Sequence, residues 1–282
     1  MSKQESFTKQ QPTLYLVATP IGNLGDMTKR ALDTLEVVDL ILAEDSRVSG
    51  KLLAHFDIKK PLMTYHDHNK NIKEQEILSL LKEGKNLALI TDAGTPGISD
   101  PGYDIAKSCI ESGFHVVSIP GASALLTALT SSGLLPQPFI FIGFLPRKKG
   151  AMLETLKSYQ HLEATLVIYE SPNRIESTVQ TLYEQYGNRK VSFCRELTKA
   201  FETITRTDLE TALTQPFDLR GEYVIILEGN VNKSLSLNEL TVAKHVHYYV
   251  NQGLSEKEAL KEVAKDRKLK KNEVYSIYKI KR

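Results

Sequence analysis

Apolar residues along this chain fall into two alternating textures. Short continuous apolar runs, each stopped by Gly or Pro, alternate with stretches whose apolar residues recur three or four apart. LYLVAT (Leu14–Thr19) is such a run and stops at Pro20, Gly22, Asn23 and Gly25, which reads as a buried strand entering a turn. Thr28 is placed to cap a helix with Ala31, Leu32 and Leu35 on one face. LILA (Leu40–Ala43) is the next strand; Val48, Leu52 and Leu53 mark a helix, and Ile77, Leu78, Leu80 and Leu81 another that ends at Gly84. LALIT (Leu87–Thr91) is a strand running into a Gly/Pro-rich loop. Tyr103–Ser112 reads as a helix ending at Gly113, and HVVSIP as a strand ending at Pro120. This alternation predicts an α/β domain with a largely parallel sheet over residues 13–122.

The second half keeps β-rich runs in a different order: Phe139–Leu145, Thr165–Glu170, Lys190–Arg195, Thr203–Thr207 and Glu222–Gly229. Only the Glu196–Glu202 loop separates two of them, which fits an antiparallel pair. Residues 123–232 are therefore expected to form a second, mixed α/β domain. Residues 1–12 are polar and read as a disordered leader.

Residues 233–282 differ again. They carry 12 Lys/Arg against 6 Asp/Glu, so this segment holds a net +6 and the rest −4 of the chain's +2. Helical spacing, a break at Gly253, a Ser255-capped helix and a basic third segment resemble a helix-turn-helix. Charge and layout together put a nucleic-acid contact ahead of a merely solvated helical tail.

Composition narrows the classes further. With 282 residues, 41% hydrophobic and 25% charged, the chain has material for two ordinary globular cores, which excludes disorder throughout. No apolar stretch approaches the ~18 residues that span a bilayer, and the N-terminus lacks the apolar core of a signal peptide. Cys109 and Cys194 are not in a C-x-x-C pair; they read as buried thiols, and a four-cysteine zinc site is excluded.

The densest chemical signal is ITDAGTPGISDPGY (Ile90–Tyr103), with Gly94, Gly97 and Gly102 beside Pro96 and Pro101. Glycines at the end of a strand let the backbone turn and approach a ligand, and a Cβ at Gly94 is expected to fill the ligand's space. Tyr103-Asp104 stands where a phosphate-binding P-loop needs Lys-Ser/Thr, and G-x-G-x-x-G is absent. Two more such loops, PIGNLGD after the first strand and PGASAL after the fifth, suggest one crevice lined by all three. Ser123 in the last reads as a helix cap or a ligand contact. Polar groups come from Glu44-Asp45-Ser46-Arg47, from Tyr65-His66-Asp67-His68-Asn69, from Glu170, Ser171, Asn173 and Arg174, and from Arg195, Glu196, Thr198, Lys199 and Glu202. His66 and His68 two residues apart, without a defined third ligand, read as a polar loop, so no metal is expected.

Taken in order and spacing, TPIGNLGD, AEDSR, ITDAGTPGISDPG, PGASA, ESPNR and RELTKAFE resemble the RsmI/YraL family, the ribosomal RNA small-subunit methyltransferases I of the tetrapyrrole-methylase-like superfamily. The likeness covers roughly residues 13–230. It implies two α/β domains of the class III methyltransferase type, with the cofactor S-adenosyl-L-methionine in the cleft between them and a small helical C-terminal extension. It also implies a cytoplasmic homodimer that methylates the ribose 2′-oxygen of a decoding-centre cytidine (cytidine 1402) of 16S rRNA within the small ribosomal subunit. Asn173 stands where similar sequences often have His, Ser46 where Thr is usual, and Lys70 where Glu is usual. The resemblance puts Pro20, Gly94, Thr95, Pro96, Ile98, Asp100, Ser123 and Ala124 at the cofactor. Arg174, Lys199, Glu170, Glu196, Asp45 and Arg47 then fit the RNA side, as candidates for deprotonating or steadying a ribose hydroxyl; the sequence does not choose a base among them. Two rival classes are a relative methylating a small molecule such as a tetrapyrrole, and a non-catalytic RNA-binding or ribosome-assembly module.

Overall fold

The computed structural model describes residues 3–6, 11–230, 237–238 and 240–280. The N-terminal domain is a five-stranded parallel sheet in the order β3-β2-β4-β1-β5: β1 (Thr13–Val17), β2 (Leu40–Ala43), β3 (Leu62–Thr64), β4 (Leu87–Ile90) and β5 (His115–Ile119). Helices α1 (Lys29–Val37), α2 (Ser46–His55), α3 (Lys70–Lys82) and α4 (Tyr103–Glu111) cover it. The layering follows from the strands. Every residue of β4 is buried, as a parallel strand sandwiched between helices must be. Two apolar clusters line the two faces, one holding Leu35, Ile41 and Ile90, the other Leu42, Leu81 and Ile105. Thr28 caps α1 through Ala31 N–H, as its sequence position predicts. β3 was not expected; it is a three-residue edge strand with no residue fully buried.

The second domain is a mixed sheet in the order β6-β7-β10-β8-β9: β6 (Phe139–Phe144), β7 (Thr165–Glu170), β8 (Lys190–Arg195), β9 (Thr203–Asp208) and β10 (Tyr223–Leu227). Only β6 and β7 run parallel; the other pairs are antiparallel, including the expected β8–β9 pair. Around this sheet are α5 (Ala124–Ser131), α6 (Lys149–Lys157), α7 (Ile175–Tyr186) and α8 (Leu209–Ala212). Its main core joins Leu166, Ile168, Phe193 and Ile225 to α6 and α7.

Three helices follow: α9 (Val242–Asn251), α10 (Glu256–Asp266) and α11 (Lys271–Ile280). They share a core of their own around Val246, Leu260, Val263 and Val274. Ser255 and Glu258 form a reciprocal capping box on α10. A buried polar network pins the bundle: His245 and Tyr249 both bond the Asp266 carboxylate, and Arg267 Nε donates to His245 Nδ1 at 3.1 Å. The junction expected at residues 232/233 falls outside the described residues. So do residues 1–2 and 7–10 of the leader and 233–236, 239 and 281–282 of the extension. Residues 3–6 and 11–12 of the leader are among the described residues. Gln4 donates to Val116 O at 2.9 Å and accepts from Val116 N–H at 3.1 Å, pairing with the exposed edge of β5. No helix among the described residues is long and apolar enough to cross a membrane.

Candidate active site

The carboxyl ends of parallel strands are where open α/β sheets take ligands, and here the loops after β1, β4 and β5 are laced together. Thr19 and Gly94 exchange both backbone hydrogen bonds, at 2.9 and 3.0 Å. The Thr19 hydroxyl donates to Thr91 O at 3.1 Å, and a Cβ at Gly121 would lie 2.9 Å from Ala18 Cβ. The three Gly/Pro motifs therefore form one wall. Gly94 acts through backbone shape rather than through want of space. Gly94 sits at φ +80, and a Cβ there would meet only Ile21 Cγ2 at 3.6 Å, an ordinary contact. Gly102 at φ +150 is needed because a Cβ would press 2.9 Å from Gly97 N. A Cβ at Gly94 would therefore meet little of the protein itself, at a position that lines the cavity described next.

A cavity of about 290 Å³ opens between this wall and the second domain. Gly94, Thr95, Ile98, Asp100, Ser123 and Ala124 line it, and so do Glu170 and Lys199. Pro20 and Pro96 are not in the lining; they flank it within the loops. Ser123 both lines the cavity and caps α5, so its two readings coexist. The sequence reading missed Tyr169 and Phe144, which bring aromatic faces from β7 and β6, and Glu222 before β10. Tyr169 packs edge-on to Phe141 and Phe144, and its hydroxyl accepts from Leu125 N–H at 3.1 Å. That bond ties the start of α5 to the second sheet.

Charge is distributed unevenly across the cavity. Burial pushes the Asp100 carboxyl up to about 6, helped by the negative charges of Glu44 and Asp92. Among the described residues Asp100 makes no hydrogen bond or ion pair. The cavity's cation is Lys199, whose Nζ lies 2.8 Å from Glu196 and 3.0 Å from Glu222. Burial opposes its charge, but the two carboxylates outweigh this and raise it. The loop that holds Lys199 is strained: Glu196 and Thr198, neither a glycine, have φ of +51 and +68. Such positions cost on the order of 1–3 kcal/mol and persist where surrounding contacts over-determine them. Here Glu196 accepts from Glu222 N–H at 3.0 Å, and Thr198 N–H donates to Glu202 at 2.6 Å.

The remaining candidates are placed elsewhere. Glu170 reaches the cavity wall, but its fully buried carboxylate is already committed. It accepts from Ser171 N–H at 2.8 Å and from the Thr178 hydroxyl at 2.7 Å, and faces Arg174 Nε at 3.5 Å. Arg174 does not line the cavity. Its guanidinium donates to Leu145 O at 3.1 Å and Pro146 O at 3.2 Å, locking the end of β6 to β7. Asp45 caps α2, and its carboxylate grips Arg47, whose side chain is 87% exposed. That pair lies outside the cavity and next to Asp92. No cluster of His, Cys, Asp and Glu among the described residues is arranged to hold a metal.

The sequence profile of the family Tetrapyrrole (Corrin/Porphyrin) Methylases matches residues 13–213. The chain is 45% identical to Ribosomal RNA small subunit methyltransferase I of Halalkalibacterium halodurans, over 99% of both chains. It is 44% identical to the protein of that name from Bacillus subtilis, over 95% of this chain and 94% of the relative. The chain belongs to the ribosomal RNA small subunit methyltransferase I family of tetrapyrrole methylases. Solved structures carry the same fold. Uroporphyrin-III-C-methyltransferase from Thermus thermophilus superposes with a TM-score of 0.54 at 19% identity, covering 81% of this chain and 98% of its own. Diphthine synthase gives 0.59 at 12% identity, covering 77% and 90%. Tetrapyrrole methylases use S-adenosylmethionine, and the cavity suits it chemically. That cofactor carries two positive centres and an aromatic base; the cavity offers an unpaired carboxylate, two aromatic faces and an apolar rim at Ile21 and Ile98.

Proposed function

We propose that this protein methylates the ribose 2′-oxygen of a decoding-centre cytidine of 16S rRNA in the small ribosomal subunit, with S-adenosylmethionine as donor. The observation that carries the reading is 42–45% identity over 94–99% of the chain to relatives named Ribosomal RNA small subunit methyltransferase I. A cytoplasmic setting and a homodimer belong to the same reading.

Bound in the cleft, S-adenosylmethionine supplies a methyl group made electrophilic by its sulfonium. The protein's task is then to orient two partners in line and to stabilise the oxygen as it loses its proton. Asp100, in the cavity lining, would balance the cofactor's positive charge. Gly94, Thr95, Ile98, Ser123 and Ala124 shape the same wall, with Pro20 and Pro96 fixing the turns beside it. Lys199, held by Glu196 and Glu222, is the cavity-lining cation that would steady the developing alkoxide. Glu170 and Arg174 are positioning residues that fix the strand end under the substrate. Asp45 and Arg47, at the rim, meet the RNA rather than the reacting atoms.

The deciding experiment is isotope-labelled methyl transfer to small subunits that lack the modification, run beside free 16S rRNA and uroporphyrinogen III. Label in a cytidine whose 3′-phosphodiester resists alkali is the expected result. Label in the tetrapyrrole alone, or in no acceptor, overturns the proposal.

A further inference from the structure

Helix α10, the turn at residues 267–270 and α11 form a helix-turn-helix whose last helix is only half used by the core. Val274 and Tyr278, one turn apart, enter the bundle. Lys271, Tyr275 and Lys279 recur every fourth residue on the exposed side of the same helix, so they share one stripe. Lys279 Nζ lies 4.9 Å from the Tyr275 ring centroid. Lys268 and Lys270 extend the stripe through the turn, both exposed. Among the described residues none of Lys268, Lys270 and Lys271 forms an ion pair. Glu273, the one acid on α11, spends its carboxylate on Lys270 N–H at 2.8 Å. The internal charges are different: Asp266, His245 and Arg267 satisfy one another inside the bundle.

An unpaired cationic stripe around an exposed aromatic ring is the chemistry that binds single-stranded RNA. Lysines neutralise phosphates and release counterions, and a base stacks on the ring. A membrane-seated helix needs a continuous apolar face instead, and here the exposed apolar residues Leu269, Tyr275 and Ile277 are flanked by Lys268, Lys270, Lys271 and Lys279. We infer that the α10–turn–α11 unit is a second RNA-contact surface, holding phosphates through Lys268, Lys270, Lys271 and Lys279 and stacking a base on Tyr275. The identity of the RNA rests on the function proposed above.

The test uses the full-length protein and two variants, the triple change Lys270→Gln, Lys271→Gln, Lys279→Gln and the single change Tyr275→Ser. Affinity for small subunits lacking the modification is measured at several salt concentrations. The triple variant should bind at least tenfold more weakly near 100 mM salt. Its log–log salt slope should be shallower by about 2, since three lysines each contribute ~0.7 on a single strand. Tyr275→Ser should lose at least about fivefold with an unchanged slope, as expected for one stacked base. S-adenosylmethionine affinity and the methylation rate on saturating subunits should match the unaltered protein in both. Unchanged subunit affinity and slope overturn the inference. So does loss of binding to phosphatidylglycerol vesicles with subunit binding intact, which would assign the stripe to a membrane. If the unaltered protein binds subunits but methylates none, the proposed function fails while the salt slopes still decide this surface.

Discussion

The aliphatic stem of Lys199 lies directly over the backbone of Gly22, across the boundary between the two sheets. A Cβ on Gly22 would stand 2.4 Å from Lys199 Cγ and 2.8 Å from its Cε. The loop after β1 thus serves as a bed for a side chain of the second domain, and only glycine leaves the room. Its φ of +149 adds a conformational demand that other residues meet poorly.

Gly22→Ala should therefore act as a lysine variant without touching the lysine. Lys199→Ala is expected to slow single-turnover methylation of saturating subunits at least ~100-fold, or about 2.7 kcal/mol, the range for losing one transition-state donor. Gly22→Ala should cost at least about tenfold, because the ammonium leaves Glu196 and Glu222. In a double-mutant cycle the second change should add almost nothing to the first. Fully multiplicative losses would mean that the two residues act independently.

Arg174 answers to a different measurement. Its guanidinium bonds two loop carbonyls and neighbours a carboxylate with no exposed surface. Removing the cation leaves all three partners short, and breaking a buried pair is typically costly. Arg174→Ala should lower unfolding free energy by about 2–4 kcal/mol in urea, with only part recovered by Arg174→Lys, whose single head cannot serve the fork. A variant of unchanged stability and impaired turnover would return Arg174 to the RNA side.

How far the sequence reveals all this depends on whether the signal is local. Strands β1, β2 and β4 are buried on both faces, so they stand out as unbroken apolar runs. β3 is three residues at a sheet edge, too short and too exposed to carry a pattern. The cofactor wall is legible because Gly94, Pro96 and Gly97 serve no core strand or helix. Tyr169 and Phe144 carry no sequence signal because aromatic residues on strands ordinarily pack into a core, and Tyr169 does so as well as lining the cavity. The partners of Arg174 at Leu145 and Pro146 are backbone carbonyls nearly thirty residues away, invisible to any motif.

Gly94 lines the cavity at φ +80 while pairing with Thr19. Gly94→Val demands a conformation that a β-branched residue avoids, and relief means breaking the Thr19 pair and tilting the wall. S-adenosylmethionine should bind at least tenfold more weakly by calorimetry, ~1.4 kcal/mol. Gly84, also at positive φ (+89) but in open space, is the control: Gly84→Val should carry the strain yet leave cofactor affinity intact.

Asp100 gives the cleft a pH dependence whose direction is fixed. Burial raises its carboxyl to about 6 in the free protein, above its ordinary value near 3.8. Between those values the folded protein holds a proton there that the unfolded chain has lost. The Asp100 contribution to stability is thus present below the lower value and declines as pH rises towards 6. Cofactor binding has the opposite slope. A positive ligand favours the ionised carboxylate, so affinity should climb as pH rises from 5 to 7, with proton release on binding at the acid end. Calorimetry in two buffers of different ionisation enthalpy would count that proton directly. Asp100→Asn should flatten the affinity profile, abolish the released proton, and reduce the decline in apo-protein stability between pH 4 and 6. If the variant keeps the wild-type affinity profile, the titrating group lies elsewhere, with Glu44 and Asp92, both also raised by burial, next to be replaced.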